Sequence, residues 1–130
     1  MNHTPISAEL EKIARHVVDA GLQVHRSLGP GLLESAYEHC LVHELTKRLL
    51  PIQRQTVLPV SYQGENIEAG YRVDVIVSGQ VIIEIKSVEA LMPLHEAQVL
   101  TYLKLSGLRL GFLLNFNVPM FKHGIRRFVL

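Results

Sequence analysis

The sequence predicts an α/β domain with a mixed sheet, its elements running helix, helix, three strands, helix and one or two further strands. Three observations predict it. Two stretches of helical apolar periodicity precede Pro51. After Pro51 the pattern changes to short β-rich segments separated by turn signals. A third helical stretch then sits between Pro93 and Gly107.

Taken in order, Thr4 or Ser7 can cap a first helix whose apolar residues Leu10, Ile13, Val17 and Val24 recur at helical spacing. Gly29-Pro30-Gly31 ends it near Leu28. A second helix runs from about Leu32 to Leu50, with Leu33, Tyr37, Leu41 and Leu45 as its apolar stripe, and Pro51 stops it. Gln55 to Tyr62 reads as a strand, and Gln63-Gly64 as a turn. Tyr71 to Val77 is the second strand, and Ser78-Gly79-Gln80 leads into the third, Val81 to Lys86. That third strand is apolar on both sides, as expected of a central strand covered on both faces. Pro93 opens the third helix, which runs to about Leu105 and ends at Gly107. Leu108 to Phe116 reads as a fourth strand and Ile125 to Leu130 as a short fifth.

At 130 residues the chain fits one domain, residues 1–130. It is 48% apolar and 19% charged, enough to bury a core and inconsistent with disorder. No apolar run reaches the roughly 18 to 20 residues that a membrane span needs. The opening Met1-Asn2-His3-Thr4-Pro5 lacks a signal-peptide pattern, so a cytoplasmic protein is expected. A single cysteine, Cys40, allows no intrachain disulfide and reads as a buried structural thiol. Net charge is +1, but from Lys104 onward there are basic residues and no acid. That end can guide a polyanion toward an acidic site, or simply be a solvated tail.

The residues that carry chemistry lie between Tyr71 and Lys86. Side chains alternate along a strand, so Glu84 and Lys86 share a face. Asp74 joins them only in some registers. A two-residue loop at Ser78-Gly79 pairs Asp74 with Ile83, whereas a three-residue loop, Ser78-Gly79-Gln80, sets it directly opposite Glu84. Gly79 can supply the positive φ that a three-residue hairpin loop wants, which predicts the second register. Two opposed carboxylates repel, and a hard cation such as Mg²⁺ offsets that repulsion. With Lys86 beside them, the set fits phosphodiester hydrolysis. The plainer reading is a charged strand edge with Asp74 at a turn.

Two further motifs bear on that choice. Gly31-Leu32-Leu33-Glu34-Ser35-Ala36-Tyr37 has the form G-x-x-E-x-x-Y, preceded by Leu28-Gly29-Pro30. His95-Glu96-Ala97-Gln98 and Tyr102 follow the strands. From about Val17 to Phe116 the chain resembles the GxxExxY proteins, a compact branch of the PD-(D/E)xK nuclease-like superfamily. The resemblance implies a restriction-endonuclease-like core in the order αβββαβ, a mixed four-stranded sheet flanked by helices, with an extra N-terminal helix. It implies that Asp74 is the first strand acid, that Glu84 and Lys86 form the E-x-K, and that Glu34 is the acid of the first core helix. Gln98 and Tyr102 correspond to a Q-x-x-x-Y pair. None of these positions is substituted. The superfamily includes enzymes acting on DNA and on RNA, and members without activity. This chain shows neither a separate DNA-recognition domain nor a cysteine cluster.

The residues read alone agree with this. Glu34 falls in the first turn of a helix, where the dipole favours an anion. Gln98 and Tyr102 are four apart and share a helical face, so Gln98 can touch the metal's water or a phosphate, and Tyr102 can stack on a base or pack. His95 can border the site as a proton carrier or serve as a first-turn polar residue. His39 and His43 have metal-pair spacing, but zinc needs further ligands that the sequence does not offer. No P-loop is present.

The expectation is therefore a Mg²⁺- or Mn²⁺-dependent nuclease acting on nucleic acid, DNA ahead of RNA. Glu34, Asp74, Glu84 and the Ile85 carbonyl would hold the metal, and Lys86 and Gln98 would place the attacking water. Tyr102 and His95 would meet substrate. The alternative is a nuclease-fold protein that binds nucleic acid or a protein partner without cutting. Exposed parts of Phe112 to Phe116, with Phe121 and Phe128, can form the contact of a homodimer.

Overall fold

The computed structural model describes residues 4–68 and 70–130. Residues 1–3, which open the stretch lacking a signal-peptide pattern, and residue 69 lie outside the described residues.

The first helix, α1 (Ala8–Leu28), is capped by Ser7, whose side chain accepts the Leu10 N–H at 3.1 Å. It buries the expected stripe of Leu10, Ile13, Val17 and Val24 and stops at Gly29, at φ 67°. The second helix, α2 (Glu34–Lys47), is shorter than expected at both ends. Tyr37, Leu41 and Leu45 are fully buried, but Leu33 stands at the N-cap and is 77% exposed, so it is not part of the stripe.

The strand expected over Gln55–Tyr62 is two strands, β1 (Ile52–Val57) and β2 (Val60–Tyr62). Pro59, which has no N–H to give a ladder, lies at the break. β2 turns through Gln63 (φ 51°) and Gly64 (φ 81°) to pair with β3 (Glu65–Ile67), forming a small separate hairpin. β4 (Arg72–Val77) and β5 (Val81–Lys86) follow, then α3 (Pro93–Ser106), β6 (Leu110–Asn115) and β7 (Ile125–Val129).

The main sheet has the order β1-β4-β5-β6-β7, with β5 in the middle as its two-sided apolar pattern demands. Only the β5–β6 pair is parallel, joined through α3 as a parallel crossover requires. β1, β4, β5 and β6 make the expected mixed four-stranded core, and β7 adds a fifth strand antiparallel to β6. Residues of α1 and α2 pack with Val75, Val77, Ile83, Ile85, Phe112 and Leu114 on one face. Residues of α3 pack with Ile76, Ile82 and Leu113 on the other.

The aromatic residues expected at a subunit contact are mostly core. Phe112, Phe116 and Phe121 are at most 2% exposed, and Phe128 packs partly buried against the α3 layer. These rings anchor β6 and the turn after it. Two arginines of the basic C-terminal part are engaged. Arg127 pairs with Glu11 at 2.7 Å, and Arg109 bonds the carbonyls of Leu130, Pro5 and Thr4.

Candidate active site

The β4–β5 loop is three residues long, with Ser78 at φ 54° and Gly79 at φ 63°. Val77 pairs with Val81 and Val75 with Ile83, so continuing the register sets Asp74 opposite Glu84. At that point the ladder stops being backbone to backbone. The Asp74 N–H donates to Glu84 Oε1 at 2.9 Å, and the Ile85 N–H donates to Asp74 Oδ2 at 2.8 Å. Each acid therefore occupies a hydrogen-bonding position on the other's strand. Asp74 also interrupts the alternation of β4. Val75 packs in the α1–α2 layer, while Val73, two residues earlier, packs in the α3 layer.

β1 shows the same break. Arg54 pairs with Val75 and Thr56 with Val73, but the intervening Gln55–Asp74 position is skipped. Gln55 sits there at φ 49°, a conformation that costs a non-glycine residue about 1 kcal/mol or more. Its amide donates to Asp74 Oδ1 at 3.3 Å and to Glu38 Oε1 at 2.8 Å. Glu38, buried on α2, receives Arg54 through two bonds of 3.0 and 2.6 Å on Oε2. The sequence reading missed Glu38, Arg54 and Gln55. The available signal was that Glu38 lies one helical turn after Glu34, on the same face of α2.

Burial dominates the electrostatics. Glu84 is 3% exposed. Burial first, and the facing Asp74 second, push its pKa up to about 8, against a backbone hydrogen bond and Lys86 that pull it down. Asp74 is also raised, again mainly by burial, with the Ile85 N–H acting in the opposite sense. Lys86 lies close enough to lower both, yet it forms no direct ion pair with either among the described residues.

Glu34 does not close on this pair. It is exposed at the first turn of α2, and its charge adds less to the rise of Glu84 than burial or Asp74 does. Among the described residues, no three acidic, histidine or cysteine side chains gather closely enough to hold one ion. Asp74 and Glu84 thus form a close pair, and Glu34 is a third acid near enough for its charge to raise Glu84.

The G-x-x-E-x-x-Y motif has a clear local role. Gly31 adopts φ 102°. The Tyr37 hydroxyl donates to the Gly29 carbonyl at 2.6 Å and accepts the Leu32 N–H at 3.1 Å, closing the loop before Glu34. The Ser87 hydroxyl donates to the Leu32 carbonyl at 2.6 Å, tying that loop to the end of β5. Buried Asn115 holds the other side, its amide bonded to both the N–H and the carbonyl of Val88. Ser87 and Asn115 were not legible as site supports.

Gln98 and Tyr102 face the same cleft as Lys86 and His95. The Gln98 amide donates to the Tyr102 hydroxyl at 2.9 Å. Tyr102 is 2% exposed, so of its two expected roles it packs and does not offer a face for stacking. His95 Nδ1 accepts the Met92 N–H at 3.0 Å, making it a helix-capping residue and leaving the neutral ring's proton on Nε2. His39 and His43 lie on the exposed side of α2, and Cys40 is partly buried against the core.

The Lys86 carbonyl accepts the Phe116 N–H, so it points to β6. In an extended strand the N–H and C=O of one residue point to the same edge, which directs the Ile85 carbonyl toward β4 and Asp74. Two carboxylates that repel at close quarters, with a carbonyl aimed beside them, are a donor set of the kind Mg²⁺ takes, since Mg²⁺ is commonly held by one or two carboxylates and keeps several waters.

No curated protein and no solved structure is significantly similar to the chain. No helix of the described residues is long and apolar enough to cross a membrane. Residues 11–128 match the family described as the PD-(D/E)XK nuclease superfamily. With the acids of β4 and β5, the E-x-K of β5 and the flanking helices in place over nearly all of its length, the chain belongs to the PD-(D/E)XK nuclease superfamily.

Proposed function

We propose that this protein is a Mg²⁺- or Mn²⁺-dependent nuclease hydrolysing phosphodiester bonds, in DNA ahead of RNA, and that it is a single-domain cytoplasmic member of the GxxExxY group. The observation that carries the reading is the opposed pair of half-buried Asp74 and buried Glu84, cross-bonded at 2.9 and 2.8 Å with Lys86 alongside. Such a pair is costly without a counter-charge. Asp74, Glu84 and the Ile85 carbonyl would hold the metal, with Glu34 contributing through water. When bound, the ion supplies positive charge that polarises a phosphate and acidifies water. Lys86 holds the attacking water or stabilises charge on the phosphate, and Gln98 orients that water from α3. His95 Nε2 and Gln98 border the incoming strand.

The test is incubation with single- and double-stranded DNA and Mn²⁺ beside Lys86→Ala. Cleavage by the wild type and its loss in the variant support the reading; equal cleavage by both sinks it.

A second reading has one observation in its favour, the failure of Glu34 to join the pair. In it the fold binds nucleic acid or a protein partner without cutting. Calorimetric titration with Mn²⁺ separates the two: the nuclease requires binding that Asp74→Asn removes, and the silent fold does not.

A further inference from the structure

We propose that the cleft beside Lys86 is a pocket for one unpaired nucleobase, with Tyr71 as the ring on which the base stacks, so that the substrate is a single strand or a frayed end rather than continuous duplex. The proposal rests on the nuclease reading for the identity of the polymer, and it names the substrate class.

The cleft encloses about 420 Å³ and is lined by Tyr71, Leu94, Gln98 and Thr101 together with Lys86 and the buried Tyr102. That is room for a base and part of its sugar. Its chemistry suits a neutral heteroaromatic ring. The walls are mainly aromatic and aliphatic, the neutral polar groups are the Gln98 amide, hydroxyls and the His95 imidazole, which can meet base edges, and no acid lines it. The single full charge is the ammonium of Lys86, at the end nearest Asp74 and Glu84, where a phosphate would follow the base.

Tyr71 has what Tyr102 lacks. It is 38% exposed, so part of its ring is open to solvent. Its orientation is fixed from behind. The ring meets Tyr102 edge-on, with centroids 6.3 Å apart and planes at 73°, and the Tyr71 carbonyl accepts the Leu58 N–H at 2.9 Å. Tyr102 is held in turn by Gln98 at 2.9 Å. Leu94, in the first turn of α3, lines the same cleft and is 77% exposed although apolar. An exposed leucine and a braced aromatic ring in one cleft can grip a base between them. A base paired and stacked within a duplex cannot enter such a cleft without leaving the stack, which costs a few kcal/mol, so unpaired strands are preferred.

The test is fluorescence anisotropy in EDTA, with a labelled oligothymidylate and a blunt duplex of equal length, so that neither metal nor cleavage is needed. The expected results are tighter binding of the single strand, roughly ten-fold weaker binding by Tyr71→Ala, retention in Tyr71→Phe, and a smaller loss in Leu94→Ser, a substitution at an exposed position that leaves the fold intact. Single-strand binding unchanged in both Tyr71→Ala and Leu94→Ser overturns the pocket, as does equal or tighter binding of the duplex. Failure of the nuclease reading is distinguishable: a protein that never cuts with Mn²⁺, yet loses oligothymidylate on Tyr71→Ala, keeps the pocket and loses the catalysis.

Discussion

Asp74 and Glu84 face each other across β4 and β5, and each is bonded into the other's strand: the Asp74 N–H meets Glu84 Oε1 at 2.9 Å, while Asp74 Oδ2 receives the N–H of Ile85, the residue after Glu84. The carboxylates thereby replace backbone carbonyls in the ladder. Their positions are as rigid as the sheet, which is how two repelling groups stay within reach of one ion without drifting apart.

The first prediction concerns pH. Glu84 is raised to about 8 in the folded state, from an ordinary value of 4.5. Between those values the folded protein holds a proton that the unfolded chain has lost, so metal-free stability falls as pH rises from 4.5 to 8 and then levels. Glu84→Gln should abolish most of this slope and be more stable at pH 8.5 by on the order of 2 kcal/mol. Urea unfolding in EDTA at several pH values reads it. A wild-type curve that is flat or rises over this interval contradicts the assignment.

Asp74→Asn and Lys86→Ala should separate binding from chemistry. Asp74→Asn removes a ligand charge and should eliminate measurable Mn²⁺ binding by calorimetry. Lys86→Ala removes no ligand and a like charge, so it should bind Mn²⁺ at least as well while cutting about 10² to 10³-fold more slowly. Parallel loss of both properties in Lys86→Ala would place the lysine in metal retention instead.

Much of this was legible before the fold was known. The hairpin register followed from Gly79 and the length of Ser78-Gly79-Gln80, because a one-residue slip turns a whole strand face over. The depth of β5 followed from the apolar residues on both of its faces. The position of Glu34 was less legible, since helical periodicity fixes a helix's own faces but not which side of a sheet it packs on. The Glu38–Arg54–Gln55 bridge was hidden for another reason. It depends on Gln55 adopting φ 49° inside a strand, and no propensity rule places a glutamine there. The burial of Phe112, Phe116 and Phe121 was hidden as well, because aromatic content does not say whether a ring faces the core or solvent.

Glu38→Ala should cost stability and site geometry together. It strands Arg54, which is 37% exposed and so retains some solvent, and it frees the Gln55 amide that also reaches Asp74. We expect a loss of about 1 to 3 kcal/mol in urea unfolding, less than for a fully buried pair. A several-fold weaker Mn²⁺ affinity should accompany it, because Asp74 loses a brace. Glu38→Gln should recover part of both, since its carbonyl still accepts one of these bonds. An Mn²⁺ affinity unchanged in Glu38→Ala would limit the bridge to packing.

Tyr37→Phe tests the motif loop. The ring is fully buried and stacks on Phe116, with centroids 4.6 Å apart and planes at 10°, so phenylalanine fits the same space. Only the hydroxyl is lost, with its bonds to the Gly29 carbonyl and the Leu32 N–H. Both partners lie in a segment containing Gly29 and Gly31, each at positive φ, so that loop should loosen rather than the core. The expected cost is about 1 to 2 kcal/mol, with faster amide exchange at Leu32. Because Leu32 is also tied to Ser87 beside Lys86, and Glu34 begins the helix two residues later, the variant should also bind Mn²⁺ less tightly if Glu34 contributes. Normal Mn²⁺ affinity despite a loosened loop would show that Asp74 and Glu84 suffice without the helical acid.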